Sequence, residues 1–196
     1  MLDSPFVRRV AITMRILGMP YEHKPLSIFR GYDEFRGLNP LVKVPTLICD
    51  DGTVLVDSTL IIDYIETLAG RSLLPGDAQQ RRSALQMIGV ALVAMEKTAQ
   101  RIYELKLRPA EFHYQPWLAR LDQQLLAAID AMETAVAGQR PWLFGDQLSQ
   151  ADITLAVGWR FIRHAAPEIA AIAMRPALDR FSERAETLPE FIATPL

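Results

Sequence analysis

NPLVKVPTLICDDGTVLVDS, residues 39–58, carries the organisation of the first half of this chain. Two apolar runs, Val44 to Cys49 and Thr53 to Val56, flank Asp50-Asp51-Gly52. Glycine in such a link accepts positive φ, so the pattern predicts a β-hairpin. Asp57-Ser58 then offers helix-capping side chains ahead of Leu60, Ile61, Tyr64, Ile65 and Leu68. That apolar spacing predicts a helix, and Gly70 marks its end. On the N-terminal side, Asn39-Pro40 closes a segment, Phe29 to Leu38, read as a loop with one or two helical turns.

Working outward, Ser4-Pro5 precedes Phe6, Val7, Val10, Met14 and Leu17. Serine suits an N-cap and proline the first helical position, and Gly18 falls where a left-handed C-cap belongs. Tyr21 to Leu26 reads as a short strand. Leu74-Pro75-Gly76-Asp77 reads as a connector, and the strand signals stop there. Helical patterns follow over residues 77–106, from about Pro116 to Val136 with a stop at Gly138, and from Ser149 onward. Shorter helices fall between Pro167, Pro176 and Pro189. Ser149-Gln150-Ala151-Asp152 has the spacing of a capping box, with aspartate in the place usually held by glutamate. The expected organisation is an α/β domain over residues 1–73 and an all-helical domain over 79–196.

The bulk numbers narrow the function. Half of the 196 residues are hydrophobic and 22% are charged, as in globular domains. A net charge of -2 advertises no basic face, which argues against nucleic acid as a partner. The longest apolar stretch, around Ile88 to Met95, is too short to span a bilayer. No secretory leader is readable, so a cytoplasmic protein is expected. Cys49 is the sole cysteine and reads as a small core residue of a strand. His23, His113 and His164 have no metal-ligand spacing among themselves or with Cys49, so no metal is expected.

Four motifs, SPFVRR (4–9), NPLVKVP (39–45), DS (57–58) and SQAD (149–152), occur in an order and spacing that resemble the cytosolic glutathione transferase family. The resemblance is closest to its serine-type members and covers essentially the whole chain. It implies a thioredoxin-like N-terminal domain, an all-α C-terminal domain and a homodimer. It also implies glutathione as co-substrate and conjugation of its thiolate to small hydrophobic electrophiles. Isomerisation or reductive dehalogenation with the same thiolate is an alternative, as is a non-catalytic glutathione-binding or interaction module.

The resemblance assigns roles residue by residue. Ser4 matches the activating serine, whose hydroxyl donates to the glutathione sulfur. The helix beginning at Ser4-Pro5 adds favourable dipole potential for an anion. Lowering a thiol pKa by one unit corresponds to about 1.4 kcal/mol, within the reach of one charge-assisted hydrogen bond. Val44-Pro45 resembles the family's cis-proline junction, where main-chain groups of Val44 pair with the peptide. Lys43 is a candidate for the glycine carboxylate of glutathione. Asp57 suits the ammonium of the γ-glutamyl group, and Ser58, at a helix start, suits its carboxylate. Phe6, Tyr103, Leu107, Phe112 and Trp117 are candidate walls for the electrophile. The serine at position 4 stands where thiol-transferring relatives carry cysteine, which argues against disulfide reduction. Arg8 and Arg9 read as surface or interdomain ion-pair residues.

One departure stands out. Family members have a strand ahead of the activating residue, and here Met1, Leu2 and Asp3 alone precede Ser4. That strand is internal to a thioredoxin-like sheet, so a form carrying a few more N-terminal residues is expected to be more stable.

Overall fold

The computed structural model describes residues 1–138 and 141–196. By contacts the chain divides into two compact units: Met1–Leu73 together with Leu188–Leu196, and Leu74–Thr187. The tail from Leu188, grouped with the helical domain on sequence grounds, therefore packs with the first unit.

The first unit opens with helix α1, Pro5–Ile16, capped by Ser4 and with proline at its start. The helix ends in a Schellman motif. Gly18 has φ +68°, its N–H donates to the Arg15 carbonyl at 3.0 Å, and the Met19 N–H reaches the Met14 carbonyl at 2.9 Å. Helix α2 spans Tyr32–Leu38. Strands β1, Thr46–Ile48, and β2, Val54–Val56, pair antiparallel with Thr46 opposite Val56. Gly52, at φ +84°, makes the turn between them. Helix α3, Ser58–Ala69, starts at the Asp57 cap and ends at Gly70, at φ +60°. Val10 and Met14 of α1 meet Ile61, Ile62 and Ile65 of α3, and Leu47 and Leu55 of the hairpin pack against them.

The expected strand at Tyr21 to Leu26 does not form. A strand needs a ladder partner, and β1 with β2 is the one ladder of strands among the described residues. The segment instead runs without regular structure, with a local bond from the Leu26 N–H to the Lys24 carbonyl at 2.8 Å.

The second unit is helical: α4 (Ala78–Lys106), α5 (Gln115–Val136), α6 (Gln150–Ala165), α7 (Pro167–Ala170) and α8 (Pro176–Glu186). A short helix, α9 (Pro189–Ile192), follows in the tail of the first unit. Helix α6 is apolar on nearly all sides and lies at the centre, buried from Gln150 to Trp159. Its Gly158 permits a close approach to α4, since a Cβ there would lie 3.4 Å from Met95 Cγ. No helix of the described residues is long and apolar enough to cross a membrane.

The start of α6 is held by the capping box expected from Ser149 and Asp152. The Ser149 Oγ accepts from the Asp152 N–H at 3.4 Å, and Asp152 Oδ2 accepts from the Ser149 N–H at 2.8 Å. The carboxylate does more than close the box. Its Oδ1 also accepts from the Leu143 N–H at 2.8 Å, drawing the preceding loop onto the helix. Burial pushes the Asp152 carboxyl above the usual carboxylate range, while these hydrogen bonds pull it back. Asp152→Ala orphans several buried donors at once. We predict a loss of about 3 kcal/mol in unfolding free energy, read as a lower urea midpoint with an unchanged slope.

Candidate functional site

The motifs of the first unit converge at one end of the hairpin. Because Thr46 pairs with Val56, Val44-Pro45 immediately before β1 and Asp57-Ser58 immediately after β2 sit at the same end. Helix α1 reaches that end through Arg9. Its Nη1 donates to Ser58 Oγ at 2.9 Å and to Thr59 Oγ1 at 3.2 Å. Ser4 lies five residues before Arg9 on the same helix, a rise of about 7–8 Å.

Ser4 caps α1 with its backbone: its carbonyl accepts from the Arg8 N–H at 2.9 Å. Its side chain makes no capping hydrogen bond. The hydroxyl is therefore not consumed by the helix it starts. Pro5 brings no N–H, which leaves the first-turn donors of Phe6 and Val7 pointing off the helix end.

The Val44-Pro45 peptide is cis and Pro45 is buried. The loop leading to it is braced by Asn39, which is 2% exposed. The Asn39 Nδ2 donates to Thr46 Oγ1 at 2.9 Å, and its Oδ1 accepts from the Leu41 N–H at 3.0 Å. The Thr46 hydroxyl in turn donates to the Lys43 carbonyl at 2.5 Å. Val42, within this loop, has φ +46°, a conformation a β-branched residue rarely adopts. Lys43 itself is exposed.

Asp57 is also held at positive φ, +73° with ψ 125°. Its Oδ1 accepts from the Thr59 N–H at 2.8 Å. Strain of this sort persists where the surroundings over-determine it. The two residues that follow Asp57 are tied down by Arg9. Arg9 is 1% exposed, its Nε has no partner among the described residues, and burial lowers its pKa to about 10 against the opposing pull of Asp57. It remains a cation at neutral pH. A guanidinium only donates, so Ser58 Oγ accepts from it and keeps its own proton to give elsewhere.

The expectation that Arg8 and Arg9 lie at the surface is overturned, since both are buried. Arg8 Nε donates to the Thr194 carbonyl at 2.7 Å and its guanidinium lies 5.6 Å from the Phe191 ring centroid. It thereby fastens the C-terminal tail. The sequence did hold a signal for this: no acidic residue occurs from Ser4 to Tyr21 to pair with either arginine locally. In the sequence Asn39 reads as the end of a segment, and its bracing role has no signal short of the fold.

Of the candidate electrophile walls, Tyr103, Leu107 and Trp117 line one cavity of about 350 Å³ in the second unit. Phe112 is 64% exposed on a 3₁₀ turn, Ala110–Phe112, and is not part of that lining. Phe6 is half-buried on α1 of the first unit. Among the described residues, no group of three or more His, Cys, Asp or Glu side chains is arranged to hold a metal ion.

Comparison with known proteins fits this architecture. Residues 1–73 match the glutathione S-transferase N-terminal domain, and residues 115–191 match its C-terminal domain. The chain is 30% identical over 196 residues to a probable maleylacetoacetate isomerase 1 of Drosophila melanogaster, covering 95% of this chain and 75% of that one. It is 29% identical over 154 residues to the maleylacetoacetate isomerase of Rattus norvegicus, covering 76% and 69%. A glutathione transferase family member from Pseudomonas fluorescens Pf-5, solved with bound glutathione, superposes with a TM-score of 0.85 at 26% identity, covering 100% and 97%. The chain belongs to the glutathione S-transferase family, whose co-substrate is glutathione.

Arg9 and Ser58 are expected to act as one unit. In a double-mutant cycle, Arg9→Met and Ser58→Ala should couple by about 1 kcal/mol or more in urea unfolding, whereas additive losses would show the bond to be idle.

Proposed function

We propose that this chain transfers the thiolate of glutathione to small hydrophobic electrophiles, with Ser4 holding the sulfur as an anion. The observation that carries this reading is the hairpin register joined to the Arg9–Ser58 bond, which gathers the peptide-binding motifs at one end of the first unit. The uncommitted Ser4 hydroxyl at a helix N-terminus fits the same reading.

In this proposal the γ-glutamyl end of glutathione meets Asp57 with its ammonium and Ser58 with its carboxylate. Ser58 is free to donate because Arg9, which can only donate, takes one of its two lone pairs and leaves its proton available. Arg9 also adds positive potential behind the carboxylate. The main chain of Val44, beside Pro45, takes the cysteinyl unit as a short added strand. Lys43, exposed on the same loop, takes the glycine carboxylate in this proposal. The sulfur then lies at the start of α1, where the Ser4 hydroxyl and the first-turn N–H groups favour the thiolate.

Isomerisation is the second reading, and the names of the relatives support it. The same thiolate would add to a conjugated cis double bond, permit rotation about the resulting single bond, and leave again. Glutathione is regenerated, so the site needs no different residues.

A homodimer belongs to the same proposal. Leu60, Tyr64 and Leu68 form an exposed apolar stripe along α3, and Leu85 and Val93 project from α4 across Gly89. Contact between copies of such stripes removes them from water. Sedimentation equilibrium should give twice the chain mass, and Leu60→Glu with Leu68→Glu should give a folded monomer.

Ser4→Ala tests the chemistry. Turnover with 1-chloro-2,4-dinitrobenzene at pH 7 should fall by roughly tenfold or more while the KM for glutathione stays within about threefold. The hydroxyl lowers the bound thiol's pKa, so the variant should recover as pH rises through the free thiol value, about 8.5. Full activity of Ser4→Ala at neutral pH would refute the assignment.

A further inference from the structure

The cavity of the second unit contains a cation that the proposed transfer to hydrophobic electrophiles does not use. Arg108 lines it beside Tyr103, Leu107, Pro109 and Trp117. Its Nη1 donates to both carboxylate oxygens of Glu104, at 3.0 and 3.1 Å. Glu104 is a fixed support: its Oε1 also accepts from the Tyr114 N–H at 2.9 Å. These hydrogen bonds and the adjacent cation hold its carboxyl below the usual range, so it stays ionised. The Arg108 backbone is held as well, since the His113 Nε2–H donates to its carbonyl at 3.0 Å. The guanidinium is thus oriented from one side and anchored by its own main chain.

The two charges of this pair are not equally presented. The Glu104 side chain is 9% exposed, while that of Arg108 is 52% exposed. Among the described residues, the Nε and Nη2 groups of Arg108 have no hydrogen-bond partner. A planar guanidinium with an outward N–H edge is matched to a carboxylate, which it grips through two parallel bonds. The neighbouring walls are a phenol ring, an indole, a leucine and a proline, and Gln100 with the Glu104 carboxylate bound to Arg108 completes the lining. A volume of about 350 Å³ suits one small ring system with a substituent.

We propose that this cavity binds carboxylic acids with a flat apolar body, and that Arg108 is its specificity-determining residue. Calling that acid the electrophile of the transfer rests on the function proposed above; the binding site itself does not. The substrate class is then narrowed from hydrophobic electrophiles to acidic ones, with Glu104 as the positioning residue that aims the guanidinium.

The test is a calorimetric titration of the full chain, without glutathione, with 2-naphthoate and with 2-naphthalenemethanol. These share one ring system and differ in the charged group. The acid should bind at least about tenfold more tightly than the alcohol at low salt, and the gap should shrink as salt is raised. Arg108→Gln should abolish the difference while leaving the alcohol's affinity unchanged, which also reports an intact cavity. Arg108→Lys, which keeps the charge but not the fork, should retain part of it. Equal affinities in the wild type, or a preference that persists in Arg108→Gln, would overturn the proposal. Should Arg108→Gln fail to fold, the wild-type comparison and Arg108→Lys still decide. Turnover of 1-chloro-2,4-dinitrobenzene is read in parallel. Turnover with no preference for acids defeats this inference alone, and acid preference without any turnover defeats the transferase reading alone.

Discussion

A guanidinium buried in the first unit organises the site that surrounds it. Among the described residues no carboxylate lies within ion-pairing reach of Arg9, and its charge is balanced by two hydroxyl acceptors and the nearby field of Asp57. Burying a cation without a contact partner costs several kcal/mol. The arrangement persists because α1 and α3 share an apolar core that leaves Arg9 no route to water. The consequence is local and chemical. Ser58 becomes an acceptor toward the protein with its own proton left to give, and the start of α3 carries the positive potential of the adjacent guanidinium.

The remaining parts of the site depend on this end of the hairpin being fixed. Asp57 is held at a φ that few non-glycine residues adopt, and Val42 is held likewise at the other approach. Asn39 ties the loop before β1 to Thr46, the residue whose register partner is Val56. Two strained residues and one buried amide thus flank the same pair of strand ends. Arg8, one residue from Arg9 and on another side of the helix, does the separate job of fastening the C-terminal tail. A short sequence, Arg8-Arg9, therefore anchors both the site and the chain end.

Much of this was legible in the sequence where a local rule has a steric cause. Gly18, Gly52 and Gly70 sit at positive φ, and Asp57 and Ser149 accept the capping bonds expected at helix starts. The cis bond at Val44-Pro45 followed from the family resemblance and not from spacing. What escaped depends on partners distant in sequence. Tyr21 to Leu26 has strand composition but nothing to pair with among the described residues. Arg8 and Arg9 have surface-residue chemistry, and their burial follows from Ser58, Thr59 and Thr194, 49 to 186 positions away. Phe112 has pocket chemistry, yet the 3₁₀ turn leaves it exposed, and Arg108 takes a place in the lining that no aromatic pattern could reveal.

The central claim is that the Asp57-Ser58 end of the hairpin, held by Arg9, recognises an adjacent ammonium and carboxylate. It is tested most directly by calorimetric comparison of glutathione with its analogue lacking the γ-glutamyl amino group. The account predicts that glutathione binds with one site per chain and that the analogue binds at least about tenfold more weakly, since Asp57 is left without its cation. Equal affinity of the two peptides, or no measurable binding of glutathione, would contradict it.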